Sequence, residues 1–246
     1  MAVQRVRYDA LSACRWRRQV ASSVHLRKDL KSADLPESAT IDFVSSDSDR
    51  IIDLYERNAH NYVADRRGAG WDESAWLERF IALLPEHATI LDIGCGFGEP
   101  IARYLIDRKF IVEGVDASPT LVSVCRRHFP KQNWHVADMR TLCLRRTFNG
   151  LLAWDSLFHL SHDDQRNMFP IFGMHAAAGA ALMFTSGTSH GVAIGSYQGE
   201  PLYHASLAAE EYRALLEANG FRVEAHVHED PNCGRHTVWL AQAVRR

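Results

Sequence analysis

Three glycines at alternate positions follow a short apolar run in the first half of the chain. The run Ile90–Ile93 leads directly into Gly94, Gly96 and Gly98, and Pro100 follows closely. Glycine accepts backbone angles that other residues resist, so such a loop lets the backbone approach a ligand closely. Open α/β sheets bind their ligands at this carboxyl end of a strand. The pattern therefore predicts a ligand-binding loop between a strand and a helix.

An acidic residue ends the next predicted strand. Asp116 follows Gly114 and Val115, and Ala117 and Ser118 come after it. A carboxylate at this position can accept hydrogen bonds from both hydroxyl groups of a ribose. The glycine loop and this acid, one strand–helix unit apart, together predict a nucleoside site.

The spacing of the glycines distinguishes two kinds of nucleoside cofactor. A dinucleotide fingerprint is Gly-x-Gly-x-x-Gly, whereas Gly98 comes one residue too early for that pattern. Asp92 precedes the loop, where a carboxylate would repel a pyrophosphate but would suit an ammonium group. The segment Asp92–Gly98 resembles motif I of the class I S-adenosylmethionine-dependent methyltransferases, small-molecule type. The resemblance implies that this loop packs against the amino-acid part of S-adenosyl-L-methionine.

The resemblance continues in the family's order over about residues 48–246. Val136–Met139 matches the end of the third strand, where Asp138 is expected to accept a hydrogen bond from the adenine amino group. Leu151–Ser156 matches the fourth strand and the loop after it, which borders cofactor and substrate. Similar enzymes use the N-terminal helical segment as a lid, in which a cation meets the cofactor carboxylate. The expected cofactor-binding residues are Asp92, Gly94, Cys95, Gly96, Gly98, Asp116, Ala117, Asp138, Met139, Trp154, Tyr62 and Arg66.

Each of these features also has a purely structural interpretation. The glycines could form a tight turn in a sheet that binds nothing, Asp116 could cap a helix, and Asp138 could be a turn residue. Tyr62 and Arg66 could be a packed tyrosine and an ordinary exposed arginine. Their occurrence together and in order favours the cofactor site.

In methyl transfer the protein mainly has to orient the reactants, because the positive charge on the sulfonium already makes its methyl carbon electrophilic. Holding the nucleophile in line can supply roughly 7–11 kcal/mol, and a base is needed only where the nucleophile must lose a proton. His159 is the first candidate for that base, since an ordinary histidine titrates near neutrality. Asp155 is the second candidate. A structural histidine that hydrogen-bonds the backbone is the alternative for His159.

The insertion after the fifth strand, Ser189–Ser206, is the expected place for substrate contacts, because loops in such positions carry them. Its glycines and aromatic residues suit a mobile substrate cover, and a plain surface loop is the alternative. The expected substrate-binding residues are His159, Tyr197, Tyr203 and His204.

Composition and missing motifs narrow the choice of acceptor. The formal net charge of −2 gives no basic face for nucleic acid. No Asn-Pro-Pro-Tyr or Pro-Cys motif stands where related nucleic-acid enzymes carry one, so a small molecule is the expected acceptor. The longest apolar run, Ala176–Phe184, is too short to span a bilayer. Five cysteines, an odd number without a Cys-x-x-Cys pair, favour a reducing cytoplasm.

Three rival functions remain open at this stage. An NAD-dependent oxidoreductase would need the third glycine one place later. A non-enzymatic regulator could keep the cofactor site and lack catalysis. A zinc site could use His226, His228, Cys233 and His236, but a hairpin explains these residues without a metal, and no metal is expected.

The elements that must position these residues alternate between strand and helix, which predicts an α/β fold. We expect a doubly wound, mostly parallel seven-stranded sheet with helices on both faces and a C-terminal antiparallel hairpin. The domain should span residues 46–246. Residues 1–45 form a basic extension, disordered or weakly ordered, in which seven basic residues face only Asp9 in the first 28 positions. An organellar transit peptide is the alternative for this extension.

Three local signals mark helix ends. Helical spacing joins Ile51, Tyr55, Ala59 and Tyr62, and a second helix should start at Asp72. Ser161 and Asp164 resemble a capping box for a helix that Pro170 must kink or divide. Ser206 is expected to cap a helix that runs to Ala218 and stops at Gly220.

Overall fold

Seven strands form one mixed sheet in the computed structural model, which describes residues 48–68 and 73–244. Two further strands form a separate hairpin. The strands are β1 (Thr89–Ile93), β2 (Ile111–Asp116), β3 (Asn133–Val136), β4 (Phe148–Ala153), β5 (Ala176–Ser186), β6 (Gly191–Tyr197), β7 (Glu200–Ser206), β8 (Phe221–Asp230) and β9 (His236–Ala243). The helices are α1 (Arg50–Arg57), α2 (Ala59–Gly68), α3 (Ser74–Ile81), α4 (Ile101–Asp107), α5 (Pro119–His128), α6 (His162–His175) and α7 (Ala209–Ala218).

The order of the large sheet is β3-β2-β1-β4-β5-β9-β8. The pairs among β1 to β5 are parallel, and β9 runs antiparallel to both β5 and β8. The strand order reverses between β1 and β4, and open α/β sheets bind ligands in the crevice at such a reversal. The predicted fold class, including the C-terminal hairpin of β8 and β9, is confirmed.

Alternate residues of the central strands pack into two separate hydrophobic cores, one on each face of the sheet. Leu91 and Ile93 pack with α6 and α7, while Ile90 packs with α3, α4 and α5. Asp92 interrupts this apolar alternation on the same face as Ile90 and is itself buried. Both faces of β1 are therefore covered, and only its carboxyl end is left for ligand contact.

The structure changes four local expectations. The first helical segment is two helices, since Asn58 separates α1 from α2 with its side-chain amide on the Leu54 carbonyl. Helix α6 is not divided at Pro170 and runs on to His175. Ser206 caps no helix, because it ends β7 and accepts a hydrogen bond from the Gly187 amide instead. The predicted insertion loop is the regular hairpin of β6 and β7.

The other helix signals hold where the structure describes them. Ser118 caps α5 with Pro119 in its first turn, Ser161 caps α6, and Gly220 follows α7 with a φ of 83°. The predicted extension over residues 1–45 and the helix start at Asp72 lie outside the described residues. In the described part of the chain, no helix has the length and apolar character needed to cross a membrane.

Candidate functional site

The glycine loop forms a tight turn at the carboxyl end of β1. Gly94 and Cys95 both donate backbone hydrogen bonds to the Val115 carbonyl of β2, at 2.7 and 3.0 Å. Gly94 has a φ of 80°, and a Cβ there would lie 2.4 Å from the Cβ of Ser156. Only glycine fits this position, because any side chain would collide with the loop that follows β4. The backbone of the two loops therefore meets at the strand reversal.

Asp116, at the end of β2, is tied to this loop. Its Oδ2 accepts a hydrogen bond from the Gly96 amide at 2.8 Å, and its Oδ1 accepts one from the Ser118 amide at 2.9 Å. Burial raises the pKa of this carboxyl above its usual range. Each carboxylate oxygen can accept more than one hydrogen bond, so the group can hold the loop and still receive ribose hydroxyls.

Helix α1 is held beside these elements by Glu56. The Glu56 carboxylate accepts hydrogen bonds from the Ser118 hydroxyl and, at 2.6 Å, from the Thr120 hydroxyl. These bonds lower the Glu56 pKa. Helix α1 therefore forms one side of the cavity that opens in front of Asp116.

This cavity, the main chamber, has an empty volume of about 770 Å³ with its mouth included. It brings together much of the expected cofactor set and both candidate catalytic residues. The predicted residues that line it are Tyr62, Gly94, Gly96, Asp116, Ala117, Asp138, Met139, Asp155 and His159. Sequence reasoning missed Ile51, Ile52, Tyr55, Arg140, Ser156 and Leu160, which also line it.

The remaining expected cofactor residues lie together around a second chamber of about 360 Å³. Tyr62, Gly94 and Asp155 border both chambers. The second chamber is lined by Tyr62, Arg66, Asp92, Gly94, Cys95, Gly98, Glu99, Pro100, Ile101, Trp154 and Asp155.

Two buried polar groups in the second chamber have no hydrogen-bond partner among the described residues. The Trp154 side chain is 5 % exposed, and its Nε1–H finds no acceptor. Asp92 is 4 % exposed, and burial together with nearby Asp116 raises its pKa to about 7. Such groups are costly when left unpaired. A ligand with a carboxylate for Trp154 and an ammonium for Asp92 would satisfy both, and an α-amino acid carries both.

Arg66 and Asp138 are already engaged by neighbours. Arg66 forms an ion pair with the buried Glu73, so its cation is not free for a cofactor carboxylate. The Asp138 carboxylate accepts hydrogen bonds from the Arg140 guanidinium, with Nε 2.9 Å from Oδ2, and from the Arg140 amide at 2.9 Å. An adenine amino group at Asp138 would have to share that carboxylate with Arg140. Neither pairing is predictable from the sequence, which shows only that residues of opposite charge are present.

His159 has both ring nitrogens in hydrogen bonds. Nδ1 lies 3.0 Å from the Tyr203 carbonyl oxygen, and Nε2 lies 3.0 Å from the Tyr55 hydroxyl. Burial lowers the His159 pKa to about 4. At neutral pH the ring is therefore uncharged and a weak base, so the geometry favours the structural alternative for this histidine over the general base.

Asp155 follows β4 in a left-handed backbone conformation, with a φ of 46°. Its carboxylate lies 3.2 Å from the Thr185 hydroxyl of β5 and 3.1 Å from His236 Nε2 of β9. His236 is one of the four residues that the sequence offers as possible zinc ligands. In the structure it pairs with Asp155, while His226 stacks on Trp239 at 3.6 Å. The described residues contain no group of three side chains placed to hold a metal.

The hairpin of β6 and β7 packs against Tyr55 and His159, and its own residues are not among those that line the main chamber. Tyr197 stacks on Tyr55 with ring centroids 6.0 Å apart, and His204 stacks on His159 at 4.9 Å. Tyr203 contributes its backbone carbonyl to His159. Glu200 forms an ion pair with Arg57 of α1. The expected substrate residues therefore lie around His159 and Tyr55, on a regular hairpin rather than an irregular loop.

Comparisons with known proteins agree with this geometry. Residues 90–173 match the family model described as a methyltransferase domain. This segment contains the glycine loop, Asp116 and Asp138 as well as the loop after β4. Over these residues the chain is similar to a methyltransferase domain, and its sheet order is that of the fold shared with the solved structures below. The family resemblance predicted from the motifs is confirmed.

Two curated relatives match this chain over part of their length. A dTDP-3-amino-3,6-dideoxy-alpha-D-glucopyranose N,N-dimethyltransferase of Streptomyces fradiae is 30% identical over 125 residues, 50% of this chain and 48% of the relative. An O-methyltransferase of Pyrenophora dematioidea is 27% identical over 161 residues, 59% of this chain and 60% of the relative. The chain thus matches less than two thirds of either protein.

Solved structures share the fold over most of the chain. The Burkholderia thailandensis 1,6-didemethyltoxoflavin-N1-methyltransferase, solved with S-adenosylhomocysteine, has a TM-score of 0.64 and 18% identity, covering 86% of this chain and 93% of that one. A SAM-bound amino pentose methyltransferase of Micromonospora echinaspora has a TM-score of 0.59 and 21% identity, covering 75% and 96%. At this identity the likeness concerns the fold.

Proposed function

We propose that this chain transfers a methyl group from S-adenosyl-L-methionine to a small-molecule acceptor. The observation that carries the proposal is the second chamber, where the buried Asp92 carboxylate and the buried Trp154 indole N–H both lack a hydrogen-bond partner within residues 48–68 and 73–244. These are the two groups that the amino-acid part of the cofactor would satisfy. Asp116, at the end of β2 in the main chamber, stands where a ribose would bind.

The relatives support the same reading. The S. fradiae protein is named for N,N-dimethylation of a nucleotide-linked amino sugar, and the B. thailandensis protein for methylation of a toxoflavin precursor. Both names describe small acceptors. Beyond the part that the adenosine of the cofactor would occupy, the main chamber is lined by Tyr55 and His159, and such a molecule would bind there.

When bound, the cofactor supplies a methyl group on a positively charged sulfur, which needs no further activation by the protein. The chain's own residues bind and orient. Tyr55, which lines the main chamber, packs edge-on against Tyr62 and stacks on Tyr197, so its ring is held in place. His159 fixes the Tyr55 hydroxyl. With no base of ordinary strength at His159, the proposal favours an acceptor whose lone pair is available at neutral pH.

The decisive experiment is isothermal titration of the full chain with S-adenosylmethionine and S-adenosylhomocysteine, with NAD as control. We expect micromolar binding of both and none of NAD. The Asp116→Ala variant should bind both about tenfold or more weakly, since charge-assisted hydrogen bonds contribute roughly 1.5–3 kcal/mol each. Binding of NAD alone would replace the proposal with an oxidoreductase.

A turnover measurement distinguishes an enzyme from a non-enzymatic regulator that only binds the cofactor. Incubation with S-adenosylmethionine carrying a labelled methyl group and a panel of small amines, alcohols and thiols should label an acceptor. Cofactor binding without labelling of any acceptor, from the panel or from a metabolite extract, would favour the regulator. A cytoplasmic location and the absence of a nucleic-acid partner stay predictions from the sequence.

A further inference from the structure

Asp155 stands at the boundary between the two chambers and lines both. Two donors hold its carboxylate from neighbouring strands: the Thr185 hydroxyl at 3.2 Å from β5 and His236 Nε2 at 3.1 Å from β9. The Asp155 amide in turn donates to the Thr185 hydroxyl oxygen at 2.8 Å. Main chain and side chain are therefore both fixed, which is unusual for a residue in a loop after a strand.

His236 donates hydrogen bonds from both ring nitrogens. Its Nδ1 lies 2.7 Å from the Cys233 carbonyl oxygen, which can only accept, and its Nε2 faces the Asp155 carboxylate. A histidine with two acceptors carries two protons and a positive charge. The hydrogen bond to Asp155 is the main cause that raises the His236 pKa to about 9. A charged pair thus lies at the junction of the chambers.

The covalent structure of the cofactor places its sulfur near that junction. If Asp116 receives the ribose and Asp92 the ammonium, the two halves of the cofactor occupy different chambers. The sulfur joins the two halves, so it belongs near the residues that border both chambers, which are Tyr62, Gly94 and Asp155. Only Asp155 among them carries a charge.

Resting on the proposed function, we propose that Asp155 distinguishes the positively charged sulfonium of the methyl donor from the neutral sulfide of the demethylated product. His236 is its positioning residue, which holds the carboxylate at the junction. The donor is attracted to Asp155 and the product is not, so transfer of the methyl group itself weakens binding and favours product release.

The test is the ratio of two dissociation constants, for S-adenosylhomocysteine and S-adenosylmethionine, measured by calorimetry on the full chain. Asp155→Asn keeps the shape and tolerates the left-handed backbone but removes the charge. We expect weaker binding of the sulfonium compound by about tenfold, an order of magnitude set by a unit charge a few ångströms away and partly offset by His236. Binding of the sulfide should stay within about twofold.

Asp116→Asn is the matched control, because it makes the same chemical change at a carboxylate that meets a part common to both compounds. It should weaken both to the same degree and leave the ratio as in wild type. Taking the ratio also cancels the contribution of Asp92, which meets the shared ammonium group.

Two variants of His236 separate positioning from a merely structural role. His236→Gln keeps an N–H for Asp155 and should keep the preference for the sulfonium. His236→Ala is equally uncharged but offers Asp155 no donor, so the carboxylate is no longer held at the junction and the preference for the sulfonium should fall.

The outcomes separate this inference from the proposed function. A ratio unchanged in Asp155→Asn overturns the role of Asp155, and equal ratios in His236→Gln and His236→Ala overturn the positioning role of His236, while cofactor binding stands in both cases. If wild type binds neither compound, the proposed function fails and this inference fails with it. Thermal melts of each variant check folding, and His236→Ala carries the test if Asp155→Asn does not fold.

Discussion

The hydroxyl of Tyr55 donates a hydrogen bond to Nε2 of His159, with the two atoms 3.0 Å apart. The direction follows from the other ring nitrogen, since Nδ1 lies 3.0 Å from the Tyr203 carbonyl and must carry the proton. Helix α1, the short loop after β4 and the hairpin of β6 and β7 meet in this chain of two hydrogen bonds. His159 is therefore an acceptor that orients Tyr55 toward the main chamber, which Tyr55 lines.

Replacing Tyr55 with phenylalanine should raise the His159 pKa. Only the neutral ring can accept the Tyr55 hydrogen bond, so its loss removes a contribution that disfavours protonation. A net hydrogen bond of about 0.5–1.5 kcal/mol corresponds to a rise of roughly half to one pH unit. Ring-nitrogen NMR of Tyr55→Phe, assigned with His159→Asn, measures this change. An unchanged titration would mean that the bond is not formed in solution.

The burial of neutral His159 should make stability fall in acid. Its pKa is about 4 in the folded protein and about 6.5 in the unfolded chain, so the unfolded state binds more protons between these values. The contribution is present above pH 6.5 and is lost as the pH falls, by about 2 kcal/mol at pH 5. Urea unfolding at pH 7.5 and pH 5 should show a smaller acid loss in His159→Asn than in wild type. Equal losses would contradict burial of a neutral ring.

Asp92 should make cofactor affinity depend on pH. Its pKa is about 7 in the free protein, and only the ionised form attracts the ammonium group. Affinity for S-adenosylhomocysteine should rise about fivefold to tenfold from pH 6 to pH 7.5, a range below the pKa of an ordinary α-amino group. The Asp92→Asn variant should bind more weakly at pH 7.5 and show a flat profile. A flat profile in wild type would remove Asp92 from the site.

Ionisation of Asp92, which should strengthen cofactor binding, should destabilise the protein without cofactor. The folded-state pKa of Asp92 lies above its unfolded value, so its stability contribution is present at low pH and is lost as the pH rises through about 7. Asp92→Asn should therefore unfold at a higher urea concentration than wild type at pH 8. The two should differ less at pH 5. A lower urea midpoint than wild type at pH 8 would show that the ionised carboxylate stabilises the fold through a partner.

Trp154→Phe should weaken cofactor binding with little effect on stability. The Nε1–H has no partner among the described residues, so removing it should stabilise the fold. The smaller ring should destabilise the fold by a similar amount, and the free energy of unfolding should therefore stay within about 1 kcal/mol of the wild-type value. Both S-adenosylmethionine and S-adenosylhomocysteine should bind about tenfold more weakly. Trp239→Phe is the control, because Trp239 Nε1 donates to Ser186 in the core. It should lower stability and leave affinity unchanged.

The sequence by itself determined the sheet and the edge of the sheet where the predicted cofactor residues lie. Gly94, Asp116 and Asp138 each follow a short strand that local patterning identifies, and parallel strands bring their carboxyl ends to one edge of a sheet. These three residues therefore lie at the same edge of the sheet, independently of how the side chains pack. The C-terminal hairpin was predictable for the same reason, since alternation along two neighbouring segments specifies both strands and their pairing.

Only the tertiary structure decided what faces these residues from distant parts of the chain. Tyr55 meets His159 across 104 positions, and His236 meets Asp155 across 81. Periodicity predicts which side of a strand or helix a side chain occupies, but the partner depends on which strand lies next to it and in what register. Because β9 lies antiparallel to β5, His236 is placed against Asp155 and pairs with it, whereas the sequence alone allows it to be a zinc ligand. Burial among neighbouring elements likewise lowered the pKa of His159 and made the candidate base a fixed acceptor.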